Sequence, residues 1–295
     1  MNNMEKPIIP SNVEANNAKL LEAQAQIWHH MFNFVTSLSL KCAIELNIPD
    51  IIQTHNKSIT LSQLIEKLPI HNKKSQFVHR IMRVLVSSGF FALEEVCESD
   101  QHDQLEQGYA LTDASKLLLK DSPFSVMPHF LIALDSLSTK PFHSLSAWFQ
   151  NDDLTPFGTT HGMEIWEYAG RDPSWGSLFN DAMANDARLV ASVMIDKSKS
   201  SFEGLESLVD VGGGTGTVAR AIAAAFPRIE CTVLDQPRVV AGLEGSENLK
   251  FVGGDMFDAI PPADAVLLKV TQINFQTNYF IFYIFLISNK LFTFT

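Results

Sequence analysis

Apolar residues recur at three- and four-residue spacing over residues 17–46, where Leu20, Leu21, Ala25, Trp28, Met31, Phe32, Val35 and Leu38 predict one long helix. Few charges interrupt it, and a helical face this apolar needs a partner surface. Self-association is favoured over burial within one subunit. Residues 48–118 read as a small helical unit closed by a hairpin. Thr60-Leu-Ser-Gln-Leu has the form of a cap followed by a helix, and 74–88 places Phe77, Ile81, Val84 and Leu85 on one face before Gly89 ends the run. Phe90-Phe-Ala-Leu-Glu and Tyr109-Ala-Leu-Thr then predict two short strands, joined by the acidic stretch 98–107. Helices followed by a two-stranded wing make a winged helix, a shape often used on DNA. Lys73, Lys74, Arg80 and Arg83 occupy its recognition-helix position, but the favoured role is structural or dimerising.

Residues 120–200 are mostly helical in pattern, with breaks expected at Pro123, Pro128, Pro141, Pro156 and Pro173. From about residue 205 the pattern becomes alternating short strands and helices. Strands are predicted at 207–211, 229–234, 249–252 and 265–270, and helices at 216–226 and 237–243. Apolar strands alternating with helices imply a parallel sheet covered on its faces, an α/β class.

Composition narrows the partners. The chain has 295 residues, is 46% hydrophobic and 19% charged, and carries a net charge of −11. An acidic surface repels phosphate backbones and anionic lipid, so neither nucleic acid nor membrane is expected as a partner. Cys42, Cys97 and Cys231 show no ligand spacing, which argues against a zinc site or disulfide framework and for a reducing, cytoplasmic location. No signal peptide is expected at the N-terminus. The nine histidines are scattered, and none carries a catalytic assignment.

The candidate chemistry centres on Asp210-Val-Gly-Gly-Gly-Thr-Gly216, a glycine-rich turn between a predicted strand and helix. Such a turn lets backbone amides approach a ligand at the positive end of a helix. Two cofactor classes fit that much. As a dinucleotide site, Gly214-Thr-Gly216-Thr-Val-Ala219 is a GxGxxA, with Asp235 where a ribose-binding acid belongs. As an adenosylmethionine site, Asp210 ends the strand itself and Gly212, Gly214 and Gly216 form the cradle. The first acid separates them, because a pyrophosphate gains nothing from a neighbouring carboxylate, whereas a sulfonium with an ammonium group does. Gly253-Gly-Asp255-Met256-Phe257 adds an acid for the adenine edge and an apolar side chain for its face. Asp235 can accept from both ribose hydroxyls. Three strand-end acids on one sheet edge favour S-adenosylmethionine.

Leu208-Val-Asp-Val-Gly-Gly-Gly-Thr-Gly216, Phe251-Val-Gly-Gly-Asp-Met-Phe257 and Ala263-Asp-Ala-Val-Leu-Leu-Lys269 resemble the plant small-molecule O-methyltransferase family, which includes caffeic acid and isoflavone O-methyltransferases. The likeness runs back through Arg171-Asp-Pro and Phe179-Asn-Asp-Ala-Met183 and covers roughly 15–269. It implies a winged-helix dimerisation domain over 1–118, a helical acceptor region with the front half of a Rossmann-like, class I methyltransferase domain over 119–269, and an intertwined homodimer. It also implies cofactor contacts from Gly212, Asp235, Asp255, Met256 and Lys269, and a phenolic acceptor with no metal ion. Trp175, Phe179 and Met183, four apart on one helix face, correspond to residues lining that flat acceptor. Trp166 is expected near the cofactor, and Asp135 is a weaker pocket candidate.

After Lys269 the chain departs from the family pattern. Relatives continue into a Leu-His-Asp/Asn-Trp-like segment whose histidine is the general base for the phenol proton. Here Val270-Thr-Gln-Ile-Asn-Phe-Gln-Thr-Asn leads into an aromatic tail over 270–295 without that histidine. The tail reads as translated intron sequence beginning at a splice donor after Lys269, the alternative being a short isoform with a hydrophobic anchor. The expectations are an exposed edge on the last family strand, unless the tail improvises a strand or helix, and impaired methyl transfer. A non-catalytic dimerisation partner of a complete homologue is the second functional reading.

Overall fold

The computed structural model describes residues 11–96, 106–269 and 284–288. The chain divides into two compact units, residues 1–116 and 117–295.

The first unit runs α1 (Ser11–Glu45), α2 (Ile48–His55), β1 (Ile59–Thr60), α3 (Leu61–Lys67), α4 (Val78–Ser87), β2 (Phe91–Val96), β3 (Glu106–Leu111) and α5 (Asp113–Lys116). The expected cap at Thr60 is a full capping box: its Oγ1 accepts from the Gln63 amide, and the Gln63 side chain accepts from the Thr60 amide. The wing has three strands, in the order β1-β3-β2, rather than the two of the predicted hairpin. β1 pairs only Ile59 and Thr60 with β3, too short a run to carry an alternating pattern. Most of the acidic connector between β2 and β3 lies outside the described residues, with Glu106 and Gln107 opening β3. Leu40, Ile44, Ile48, Leu64, Met82, Leu85 and Phe91 are buried and tie the helices to the wing. Lys74 and Arg80 of the basic group both lie over the Phe77 ring. The α1 stripe stays open: Leu20, Trp28, Met31, Phe32 and Leu38 are all exposed, Leu20 at 61% and Trp28 at 56%.

The second unit opens with helices α6 (Met127–Ala133), α7 (Ser136–His143), α8 (Leu145–Trp148), α9 (Pro156–His161), α10 (Ile165–Arg171) and α11 (Pro173–Lys197). Pro128, Pro156 and Pro173 begin helices, where a missing amide hydrogen costs nothing. Pro141, an expected break, sits inside α7 instead. Its ring removes the donor that the Leu137 carbonyl would have used, and the His161 Nε2–H donates to that carbonyl at 3.1 Å.

The sheet follows as β4 (Ser207–Val211), α12 (Thr217–Ala225), β5 (Glu230–Asp235), α13 (Pro237–Val240), β6 (Leu249–Gly253), β7 (Ala265–Lys269) and β8 (Ile284–Ser288). Strand order is β6-β5-β4-β7-β8, parallel through the first four. Leu208 faces the core shared with Ile222, Val233 and Leu267, while Val209 and Val211 face Leu234, Met256 and Leu268. Burial on both faces explains the nearly unbroken apolar strands. Of the two expectations for β7, an open edge or a strand improvised by the tail, the structure has the second. β8 pairs with β7 antiparallel from Ala265↔Ser288 to Lys269↔Ile284, so the outer amides and carbonyls of β7 have a backbone partner. The rest of the tail lies outside the described residues. No helix among the described residues is long and apolar enough to cross a membrane.

Candidate functional site

Strand register assembles the site. Val211 pairs with Leu234 on one side and Leu268 on the other, and Asp235 pairs with Gly253. Gly212, Asp235, Gly253 and Lys269 therefore stand in one row at the carboxyl edge of the sheet. Strand order reverses between β4 and β7, the switch point at which such sheets open a ligand crevice.

The loop after β4 is shaped for close approach. Gly212, Gly214 and Gly216 all have positive φ, at 68°, 59° and 79°. Gly216 caps α12, and a Cβ there would lie 2.8 Å from the Phe251 ring. A Cβ on Gly213 would meet the Asp210 carboxyl at 2.7 Å. A side chain at either position would displace the cradle, aside from any backbone strain.

The three acids play different local parts. Asp235 binds the loop to the sheet: its Oδ2 accepts from the Gly214 amide at 2.7 Å and its Oδ1 from the Gln236 amide at 2.7 Å. Asp255 is exposed and accepts from the Phe257 amide at 2.9 Å, while Met256 packs half-buried beside Leu234 and Val252. Asp210 lies beneath the loop at 2% exposure, its Oδ2 with no hydrogen-bond partner among the described residues. Burial pushes its carboxyl from 3.8 up to about 7; the nearby Asp235 carboxylate adds to this, and the Ala219 amide and Lys269 charge oppose it. Between those two values the folded chain holds a proton that the unfolded chain has lost. Stability contributed by Asp210 therefore falls as pH rises through that window and is flat above it. The melting temperature is expected to fall by about 5 °C from about pH 5 to about pH 8, and Asp210→Asn to remove most of that slope. Equal slopes in thermal scans of the two proteins would refute this.

The residues fit adenosylmethionine on two structural grounds. The positive-φ glycines present bare backbone along the loop, with open space beside Gly214, and the orphaned, buried Asp210 oxygen would be relieved by a cationic ligand above it.

The aromatic stripe on α11 is brought together, though not as an open wall. Trp175 is 9% exposed in a cluster with Ile132 and Ala182, stacked on half-buried Phe179 at 5.4 Å. Its Nε1–H is buried without a partner among the described residues. Met183 is half-buried one turn on. Trp166 meets the Phe179 ring edge-on at 5.5 Å, and Asp135 caps α7 by accepting from the Leu137 amide. Sequence reasoning missed Asp186. It lies on the same face of α11 and forms a 2.7 Å ion pair with Lys269, both side chains 10% exposed. A carboxylate continuing an apolar stripe was the available signal.

Comparisons with known proteins agree with this architecture. Residues 28–121 match the O-methyltransferase dimerisation domain, and residues 142–278 match the O-methyltransferase domain. "Probable O-methyltransferase 3" of Humulus lupulus is 59% identical over 256 residues, covering 87% of this chain and 68% of that protein. "Trans-resveratrol di-O-methyltransferase" of Vitis vinifera is 58% identical over 252 residues, covering 85% and 70%. Among solved structures, human N-acetylserotonin methyltransferase in complex with SAM shares the fold at a TM-score of 0.64 and 19% identity, over 90% of this chain and 71% of that one. The chain belongs to the plant S-adenosylmethionine-dependent O-methyltransferase family of phenolic small molecules.

Proposed function

We propose that residues of the sheet edge hold S-adenosylmethionine and that α11 presents a phenolic acceptor to it. The observation that carries this reading is the aligned row of Gly212, Asp235, Gly253 and Lys269 beside the glycine cradle. When bound, the cofactor supplies an electrophilic methyl group on a sulfonium centre. Gly212, Gly214 and Gly216 offer backbone to it, and Asp235 turns its two oxygens to the ribose hydroxyls. Asp255 and Met256 take the edge and face of the adenine. A cationic donor above the loop would draw the buried Asp210 carboxyl toward its ionised form, and Lys269 offers a positive charge at the far end of the row. Phe179 and Met183, backed by buried Trp175, form the acceptor side. No residue is assigned to a metal. Titration calorimetry against adenosylhomocysteine and NAD tests the reading: binding of the first alone is expected, and binding of NAD alone would overturn it.

The relatives' names point to stilbene and flavonoid hydroxyls, since they include a resveratrol and an 8-hydroxyquercetin O-methyltransferase. Transfer by this chain is expected to be impaired, because no histidine, aspartate or glutamate occurs in 270–295 to take the phenol proton. A second role as a dimerising partner of a catalytically active homologue is favoured by the open stripe on α1. In either role pairing runs through that stripe, as a homodimer or with the homologue. Trp28→Asp with Phe32→Asp is expected to shift the sedimenting species from dimer to monomer. An unchanged dimer would exclude the stripe as its interface.

A further inference from the structure

The apolar face of α11 carries a residue that neither the cofactor nor the acceptor uses directly. Trp175, Phe179 and Met183 step along it, and Asp186 follows at 7% exposure. A carboxylate so placed is costly unless paired. Its Oδ2 accepts from Lys269 Nζ at 2.7 Å, joining α11 to the end of β7 across 83 residues of sequence. His129 on α6 lies in the field of both charges, and burial, the largest influence on it, favours its neutral form.

Strand order gives this pair its meaning. With adenine over β6 and ribose over β5, the remaining part of a ligand laid along the edge lies over β4 toward β7. That part is the amino-acid end, and Lys269 stands there. The next turns of α11 toward its N-terminus carry the acceptor stripe, so the ion pair sits where donor and acceptor meet.

We propose that Asp186 is a positioning residue: it holds the Lys269 ammonium toward the carboxylate of the donor's amino-acid end and ties the acceptor helix to the donor edge. This rests on the cofactor reading above. A lysine on a flexible four-carbon stem needs such an anchor to present a fixed charge, and an ammonium can serve two carboxylates at once.

The test compares two ligands by calorimetry on the full chain. Adenosylhomocysteine has the amino-acid end, and methylthioadenosine lacks it. Asp186→Asn is expected to weaken the first by about tenfold and leave the second unchanged. Lys269→Met is expected to do the same, with the double variant no weaker than Lys269→Met alone, because Asp186 acts through Lys269. Asp186→Glu is expected to restore most of the loss. Equal weakening of both ligands, additive losses in the double variant, or an Asp186→Asn chain that binds like the parent would each overturn the proposal. If the parent binds neither ligand, the cofactor reading fails and this inference falls with it. Should Asp186→Asn not fold, the Asp186→Glu and Lys269→Met chains decide the matter: loss of selectivity for adenosylhomocysteine in Lys269→Met and its retention in Asp186→Glu support the proposal, and any other pattern overturns it.

Discussion

Given labelled adenosylmethionine and a panel of phenols, this chain is expected to transfer methyl groups between about a hundredfold and about ten-thousandfold more slowly than a relative that carries the histidine after β7. A phenol has a pKa of about 10, so roughly one molecule in a thousand is ionised at neutral pH. A positioned base removes that penalty. The family resemblance puts the base shortly after the β7 strand, and residues 270–295 hold no histidine or carboxylate side chain. Any residual turnover should depend on phenol ionised in solution. It is then expected to climb about tenfold per pH unit toward the phenol pKa, without a plateau near pH 7. Turnover within about tenfold of a histidine-bearing relative, or a plateau near neutrality, would show that another group serves as base.

The second large effect belongs to Asp235. Its carboxylate accepts from the Gly214 and Gln236 amides, so it shapes the loop besides the ribose contact proposed for it. Asp235→Ala is expected to weaken adenosylhomocysteine by about a hundredfold, equivalent to about 3 kcal/mol. Two contributions add: lost charge-assisted bonds to the ligand, and a Gly214 amide left without its acceptor. Asp235→Asn keeps one acceptor oxygen and is expected to lose less. Far-UV circular dichroism separates loss of binding from loss of folding. Near-parental affinity in a folded Asp235→Ala chain would remove Asp235 from the site.

The aligned acids illustrate how far pattern alone reaches. Asp210, Asp235 and Asp255 were legible because each lies at or near the end of a short apolar run, and chain order is enough to put strand ends on one edge of a parallel sheet. The structure puts only Asp235 at a strand terminus, with Asp210 one residue inside β4 and Asp255 two beyond β6. Their individual circumstances were not legible. That Asp210 lies beneath the loop, that Asp235 is bound to Gly214, and that Asp255 stays exposed depend on side-chain packing across strands 20 or more residues apart. Trp175 shows the same division. Its helical spacing with Phe179 was plain, whereas its burial against Ile132 and Ala182 required α6 to be in place.

Local physics therefore belonged to the sequence: the long apolar helix, the Thr60 cap, the glycine cradle and the alternation that makes a parallel sheet. These arise from spacing, caps and backbone freedom among neighbours in the chain. Tertiary structure decided what depends on distant partners. It tolerated Pro141 because His161 takes over the Leu137 carbonyl, and it covered β7 with β8. It also turned Asp186 from an odd carboxylate on an apolar stripe into the partner of Lys269. A buried charge or an unpaired backbone group has a cost that no local pattern can offset, and only the folded chain brings in the group that does.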